Sequence, residues 1–365
     1  MTTRVSSINA ICPYFTMFPL EFPMRVLSRD RQASSKVFDP FCGRGTTNLA
    51  ARIRGMSTVG VDSHPLAKAL TEAKLTSIHP DGIVSELIDI LNSSIYSEDL
   101  PIGEFWDLAF ETTTLVGIVK VREALLRDCK SPARLALRAI ILGALHGPIS
   151  RTTPSYLSNQ CPRTFAPKPR YAISYWREHD LRPPQVDLVD LVSRRARRYY
   201  SERLPSVYSK VIFGDSRDER HFERELNNYE FDWIITSPPY YGMRTYRPDQ
   251  WLRLWFLGGS ESVDYSQKNQ LTHESPGAFV NQLSRVWENC ARVCRRGARM
   301  VIRFGQISDR KVDPYILLRD SLSDTNWRIQ TRCDAGSASQ GKRQADHFGI
   351  TSRAQTEFDL WVVNS

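Results

Sequence analysis

The seven cysteines form no CxxC pair and are odd in number, and Cys42, Cys290 and Cys294 lie in stretches that read as buried or helical. A disulfide framework and a cysteine-built zinc site are therefore excluded, no metal is expected, and a reducing cytoplasm is the expected compartment. Nowhere do eighteen apolar residues follow one another, and no basic stretch near the N-terminus leads into an apolar run, so neither a membrane span nor a secretory signal is expected. Internal repeats and low-complexity tracts are missing as well. Acidic residues are the minority among the charges: 40 Asp and Glu stand against 49 Lys and Arg, a formal net charge of +9 carried mainly by arginine. An excess of that kind fits a polyanionic partner, and it equally fits a surface that only needs to stay in solution.

What is present has the grammar of an α/β protein at its two ends and something different between them. Val37-Phe38-Asp39 reads as a strand that turns through glycines into a helix at Thr47–Arg52, followed by the strand Ser57–Asp62 and a helix from about Pro65 to Leu75. A second set starts at Lys210–Asp215 and continues through Phe231–Thr236, a long amphipathic helix near Pro276–Cys294, Met300–Phe304 and Phe358–Val363. Strands alternating with helices predict a doubly wound, mostly parallel, Rossmann-like sheet covered on both faces. Residues 80–205 carry helical periodicity from Leu125 to Leu145, then a segment rich in Pro, Arg and Tyr, then the run Arg194–Tyr200. They read as a mainly helical insertion into a domain made of 1–79 and 206–365. Asp249–Trp255 reads as a helix packing on the sheet, with Trp251 and Trp255 in its core.

Two short stretches carry chemistry. Asp39-Pro40-Phe41-Cys42-Gly43-Arg44-Gly45-Thr46-Thr47 joins a strand to a helix, where an α/β sheet binds nucleotides, and Asp62 ends the next strand in position to accept both hydroxyls of a ribose. Gly43 and Gly45 let the backbone approach a ligand that a Cβ would push away. A GxGxxG dinucleotide loop is disfavoured, because Asn48 occupies the place of the third glycine. The other stretch is the apolar strand Phe231–Thr236 ending in Ser237-Pro238-Pro239-Tyr240. Read blandly, the first is a capped strand-to-turn junction and the second a proline turn with a core tyrosine behind it.

Together the two stretches resemble the S-adenosylmethionine-dependent amino-methyltransferases of DNA, whose cofactor motif the first matches and whose catalytic Ser/Asp/Asn-Pro-Pro-Tyr/Phe the second matches. The resemblance implies S-adenosyl-L-methionine as cofactor, with Asp39, Phe41, Cys42, Gly43, Gly45 and Thr46 around its methionine part and Asp62 on its ribose. It implies Asp215, in Gly214-Asp215-Ser216-Arg217, as a contact to the cofactor adenine, although a capped turn explains that segment equally well. Phe18 and Pro19, in the aromatic and proline cluster Tyr14–Pro23, match loosely a segment that closes over the methionine end, and a hydrophobic lead-in strand is the other reading.

The catalytic residues implied are Ser237, Pro238, Pro239 and Tyr240, and chemistry explains their types. An exocyclic amine is a poor nucleophile because its lone pair is delocalised into the ring, so acceptors must draw the NH2 out of conjugation. Two prolines fix φ and donate no N–H, leaving rigid carbonyls and the Ser237 hydroxyl to accept, while Tyr240 offers a flat face to a base flipped out of the duplex. Serine in the first position is more usual for cytosine N4, with adenine N6 the second choice. Cytosine C5 chemistry lacks its thiol, since Cys12 and Cys161 precede prolines rather than follow them. An RNA guanine-N2 methyltransferase would carry an RNA-binding domain for which there is no room before Asp39, and a non-catalytic nucleic-acid-binding subunit would not keep both motifs intact.

The partner implied is double-stranded DNA, with a separately encoded restriction endonuclease as the usual companion and the nucleoid as the place of work. For target recognition the insertion offers Arg151, Asn159, Arg163, Lys168, Arg170, Arg194 and Arg195, interleaved with aromatics, and Arg244 follows the catalytic motif in a candidate lid loop. Each single charge reads as well as a solvated helix face.

Overall fold

The computed structural model describes residues 7–13, 18–30, 32, 34–95, 99–147, 154–162, 168–242, 247–265, 271–306, 312–337 and 356–365. Along the chain come α1 (Glu21–Leu27), β1 (Lys36–Asp39), α2 (Thr46–Ile53), β2 (Ser57–Asp62), α3 (Pro65–Leu75), α4 (Pro80–Asn92), α5 (Glu104–Ala109), α6 (Thr112–Arg127) and α7 (Pro132–Ala144). They are followed by α8 (Pro169–Glu178), α9 (Leu188–Tyr200), β3 (Ser209–Phe213), α10 (Glu219–Glu225), β4 (Phe231–Thr236) and α11 (Trp251–Phe256). The chain ends with α12 (Pro276–Arg292), β5 (Cys294–Gly305), α13 (Pro314–Leu322), β6 (Trp327–Ser337) and β7 (Thr356–Asn364). Two compact units divide these elements: one holds 15–71, 205–245 and 267–365, the other 1–14, 72–204 and 246–266.

The first unit is built on a seven-stranded sheet in the order β3-β2-β1-β4-β5-β7-β6. Its first five strands pair in parallel, and β7 runs antiparallel between β5 and β6. Alternation along the central strands divides the core: Val37, Trp233, Ile235 and Val301 pack with α1 and α2 residues, whereas Phe38, Ile234, Met300 and Ile302 pack with α10, α12 and α13 residues. Both faces are covered, so the sheet is doubly wound and Rossmann-like, as expected. The chain leaves β1 for β2 on one side and returns as β4 on the other, which makes the carboxyl ends of β1 and β4 the topological switch point where such sheets bind ligands.

The second unit is helical. Three helix starts are capped by side chains: Glu111 accepts from Thr113 and Thr114 at the head of α6, Asp187 from Val189 and Asp190 at α9, and Ser131 from Arg134 at α7, with Pro132 in the first turn. The helical periodicity read from Leu125 to Leu145 is thus divided between the end of α6 and α7. Trp251 and Trp255 are buried, but α11 clusters with this unit rather than with the sheet, their rings lying 4.8 and 4.6 Å from those of Phe105 and Trp106. Arg253 is wholly buried between them and is satisfied by the Leu142 carbonyl at 2.9 Å, Gln250 Oε1 at 2.8 Å and the His146 carbonyl at 3.2 Å. No helix among the described residues is long and apolar enough to cross a membrane.

Candidate active site

The loop after β1 is held from below by two carboxylates. Asp39 is 1% exposed, and its Oδ1 accepts from the Phe41 amide at 3.0 Å and from the Thr236 hydroxyl at 2.7 Å. Asp62 accepts from the Gly43 amide at 2.8 Å through Oδ2 and from the His64 amide at 2.8 Å through Oδ1. Burial pushes the Asp39 carboxyl up to about 7, against the pull of the Thr236 and Phe41 donors. Burial likewise pushes Asp62 up to about 6, against the His64 and Gly43 amides. Each carboxylate keeps lone pairs beyond these bonds, so further donors can be accepted.

The two glycines are required for different reasons. Both have positive φ, +50° at Gly43 and +75° at Gly45. A Cβ on Gly43 would meet only the Phe41 carbonyl at 3.9 Å, so its backbone stands open to a neighbour; one on Gly45 would strike the Thr71 side chain at 2.7 Å. Gly45 therefore lets the loop close on α3, whereas at Gly43 the space that a Cβ would occupy is open. Gly60, unremarked in the sequence, has the same kind of role, since its Cβ would lie 2.8 Å from that of Cys42.

The Ser-Pro-Pro-Tyr stretch leaves the end of β4 beside this loop. Thr47 Oγ1 donates to the Ile235 carbonyl at 2.9 Å, and Thr236 reaches Asp39, so two threonines stitch the strand end to the turn. Ser237 and Pro239 are part-exposed and Pro238 is buried. Tyr240, expected to present a face, is turned inward: it is 8% exposed, its ring meets Phe304 edge-on at 5.1 Å, and its hydroxyl donates to Glu357 Oε1 at 2.8 Å.

Around these lie the weaker candidates. Asp215 is clamped by Arg217, whose Nε lies 2.9 and 3.0 Å from the two carboxylate oxygens, while Nη1 reaches Gln282 at 2.7 Å. A capped turn thus accounts for that carboxylate as it stands. Its neighbour Ser216, which sequence reasoning passed over, donates to the Pro40 carbonyl at 2.6 Å and ties β3 to the loop. Phe41 is part-buried 6.2 Å from the Trp287 ring, Cys42 and Thr46 are buried, Phe18 packs edge-on against Phe22 at 5.2 Å, and Pro19 is exposed.

No family model matches the chain. It is similar to two curated proteins. It is 28% identical over 103 residues to the type II methyltransferase M.MjaII of Methanocaldococcus jannaschii, an alignment covering 28% of this chain and 19% of that one. It is 20% identical over 251 residues to the type II methyltransferase M.MvaI of Kocuria varians, covering 60% and 51%. The alignments thus span about half of one curated relative and a fifth of the other. Among solved structures, the rRNA methyltransferase AviRa of Streptomyces viridochromogenes aligns at TM-score 0.40 and 13% identity over 100% of this chain and 94% of its own.

The residues expected to touch DNA separate into four groups. Arg151, Arg163 and Arg244, with most of the candidate lid, lie outside the described residues. Asn159 is corrected: it is 5% exposed, and its amide donates to the Leu108 carbonyl at 3.1 Å and the Leu181 carbonyl at 3.3 Å, so it clasps three segments and has no amide to offer a base edge. Arg194 and Arg195 are partly engaged, donating to the Pro154 carbonyl at 3.0 Å and the Ser155 carbonyl at 2.6 Å. Lys168 and Arg170 are exposed at the head of α8, next to a stack in which Tyr171 and Tyr175 lie 6.4 Å apart and Tyr175 and His179 4.2 Å apart.

Proposed function

We propose that this chain transfers a methyl group from S-adenosyl-L-methionine to an exocyclic base nitrogen in duplex DNA, cytosine N4 in the first place and adenine N6 in the second. One observation carries the reading: the hydrogen bond from Thr236 to Asp39 joins the residue before Ser237-Pro238-Pro239-Tyr240 to the head of Asp39-Pro40-Phe41-Cys42-Gly43, across 197 positions of sequence. Two motifs that resemble the cofactor and catalytic elements of amino-methyltransferases are thus neighbours at a switch point.

The donor set supports the cofactor. Asp62 ends β2 with acceptor capacity for a vicinal diol, and the open backbone at Gly43 leaves room for a ligand chain along the turn. S-adenosylmethionine, when bound, supplies a methyl group on a sulfonium, an electrophile that needs no covalent enzyme intermediate. The chain's own part would be to hold the accepting amine, Ser237 and the carbonyls flanking the two prolines accepting hydrogen bonds from it, while the methyl transfer would leave S-adenosylhomocysteine and release one amine proton to solvent. In this reading the helical region, with Lys168 and Arg170 exposed, meets the phosphate backbone, and a separately encoded endonuclease is the companion.

The decisive experiment expresses the full chain in a host that lacks DNA methylation and sequences its genome by a method that separates N4-methylcytosine from N6-methyladenine. One modified motif, on cytosine, is expected. The same motif on adenine would exchange the two choices of base, and unmodified DNA with RNA labelled in vitro would remove DNA from the reading.

A further inference from the structure

Along β7, two alternate residues are buried acids: Glu357 is 5% exposed and Asp359 4%. Asp359 has an evident neutralising partner in Arg303, whose Nε and Nη2 lie 2.8 and 2.9 Å from its two oxygens. Glu357 accepts the hydroxyl of Tyr240 at 2.8 Å, from a residue 117 positions away. Its backbone is pinned on both sides, opposite Gly305 of β5 and Gly336 of β6, so the carboxylate is held by the middle of a three-strand ladder. A buried acid is costly, and an apolar side chain would fill a strand position with less desolvation. Toward Tyr240 the carboxylate is a directed acceptor for the phenol, whose ring is already confined by the edge contact with Phe304 at 5.1 Å.

We propose that Glu357 is the positioning residue of the Ser-Pro-Pro-Tyr motif, fixing the plane of the Tyr240 ring, and through it the course of the chain at Pro239, by holding the phenol hydroxyl. This rests on the reading of residues 237–240 as the site of methyl transfer. The strand β7, between β5 and β6, thereby sets the geometry of a motif that follows the central strand β4. Pro238 and Pro239 fix φ at two of the positions between the end of β4 and Tyr240, which reduces the backbone freedom left for the ring contact to act on.

The test uses the full chain, tritiated S-adenosylmethionine and unmethylated genomic DNA, with cofactor affinity measured separately by calorimetry. Glu357→Leu is expected to lower kcat by about tenfold while the cofactor Kd changes by less than about twofold, the loss expected of one charge-assisted hydrogen bond. Glu357→Gln, whose amide oxygen still accepts from a phenol, is expected to restore kcat to within about threefold of the parent. In a Tyr240→Phe background the substitution Glu357→Gln is expected to change kcat by less than about twofold, because the bond it would weaken is already gone. Full activity in Glu357→Leu would overturn the proposal, and so would a loss in Glu357→Gln as large as in Glu357→Leu, or effects that multiply independently in the double variant. Failure of the underlying reading looks different: the parent chain would bind cofactor and label no nucleic acid, or Ser237→Ala and Tyr240→Ala would both retain full activity. Unfolding of Glu357→Leu is told apart by its circular dichroism, and the comparison then stands on Glu357→Gln alone, with and without Tyr240→Phe.

Discussion

Asp39 places an ionisable group where water does not reach, and that has a sign in both stability and binding. Its carboxyl, ordinarily near 3.8, is pushed up by burial to about 7, and that of Asp62 to about 6. Between about pH 4 and pH 7 the folded chain therefore keeps a proton on Asp39 that the unfolded chain has released, so stability falls as pH rises through that window. The loss is complete above pH 7 and is on the order of 4 kcal/mol for Asp39. Asparagine keeps the shape and cannot ionise. Asp39→Asn should accordingly gain on the parent as pH goes from 5 to 8, read as the difference in urea unfolding free energy, and an equal difference at both pH values would contradict the burial argument. Binding has the opposite sign. An ionised Asp62 is the better acceptor for a diol, so affinity for S-adenosylmethionine should strengthen as pH rises through 6. Asp62→Ala should weaken that affinity about 10- to 100-fold, the worth of hydrogen bonds to a charged group, and a calorimetric Kd within twofold of the parent would take the ribose role away from Asp62.

At the scale of elements, the join between the cofactor-type loop, α2 and α3 is a steric fit around one residue. Gly45 sits at φ +75° with Thr71 at 2.7 Å from any Cβ it might carry. Gly45→Ala should cost about 1–2 kcal/mol for the left-handed backbone alone, and more for the overlap. Adding Thr71→Ala should return the overlap part in a urea double-mutant cycle, although Thr71→Ala by itself forfeits the bond from its hydroxyl to the Gly43 carbonyl. Strict additivity would mean that the two side chains do not compete. The same scale shows what could be read from sequence. The strands β1, β2 and β4 and the helix α3 were legible because each is a contiguous apolar pattern with its own stop signal. β6 was not: beyond Trp327 it runs exposed through Arg328, Ile329, Gln330 and Arg332 at the sheet edge, with two register shifts, so it carries no alternation to read. The start of β5 was hidden in the basic stretch Arg295-Arg296-Gly297, where Gly297 turns at φ +80°. The site divides in the same way. Asp39, Gly43, Asp62 and Ser237–Tyr240 stand in local motifs, whereas Thr236, Ser216 and Glu357 acquire their roles only through pairings that the fold creates. Asn159 shows the reverse: a polar residue among cations reads as a surface contact until its neighbours enclose it.

For the whole molecule, the proposed function requires that part of the +9 charge meet DNA. Net charge alone supports attraction and not a place, because it is summed over a surface on which many arginines already have partners. Arg194 and Arg195 spend donors on carbonyls at 154 and 155, so their share in phosphate binding would require breaking or sharing those bonds. Lys168 and Arg170 are exposed beside the Tyr171, Tyr175 and His179 stack, where, among the described residues, meeting a phosphate breaks no hydrogen bond to a carbonyl and competes only with the loose contact of Lys168 to the Tyr265 ring at 5.8 Å. If these two cations each contact a phosphate, Lys168→Ala with Arg170→Ala should lower the slope of log K against log salt by about two, roughly one counterion per contact. The measurement is duplex binding by fluorescence anisotropy across 50 to 200 mM salt, a range over which phosphate contacts dominate the change in affinity. Cofactor affinity should not move, since neither residue belongs to the sheet unit. A weaker Kd with an unchanged slope would mean that the pair acts on DNA other than through phosphates. An unchanged Kd and slope would move the interface to Arg194, Arg195 or residues outside those described, and the same titration on variants of those arginines would then identify which of them carry it.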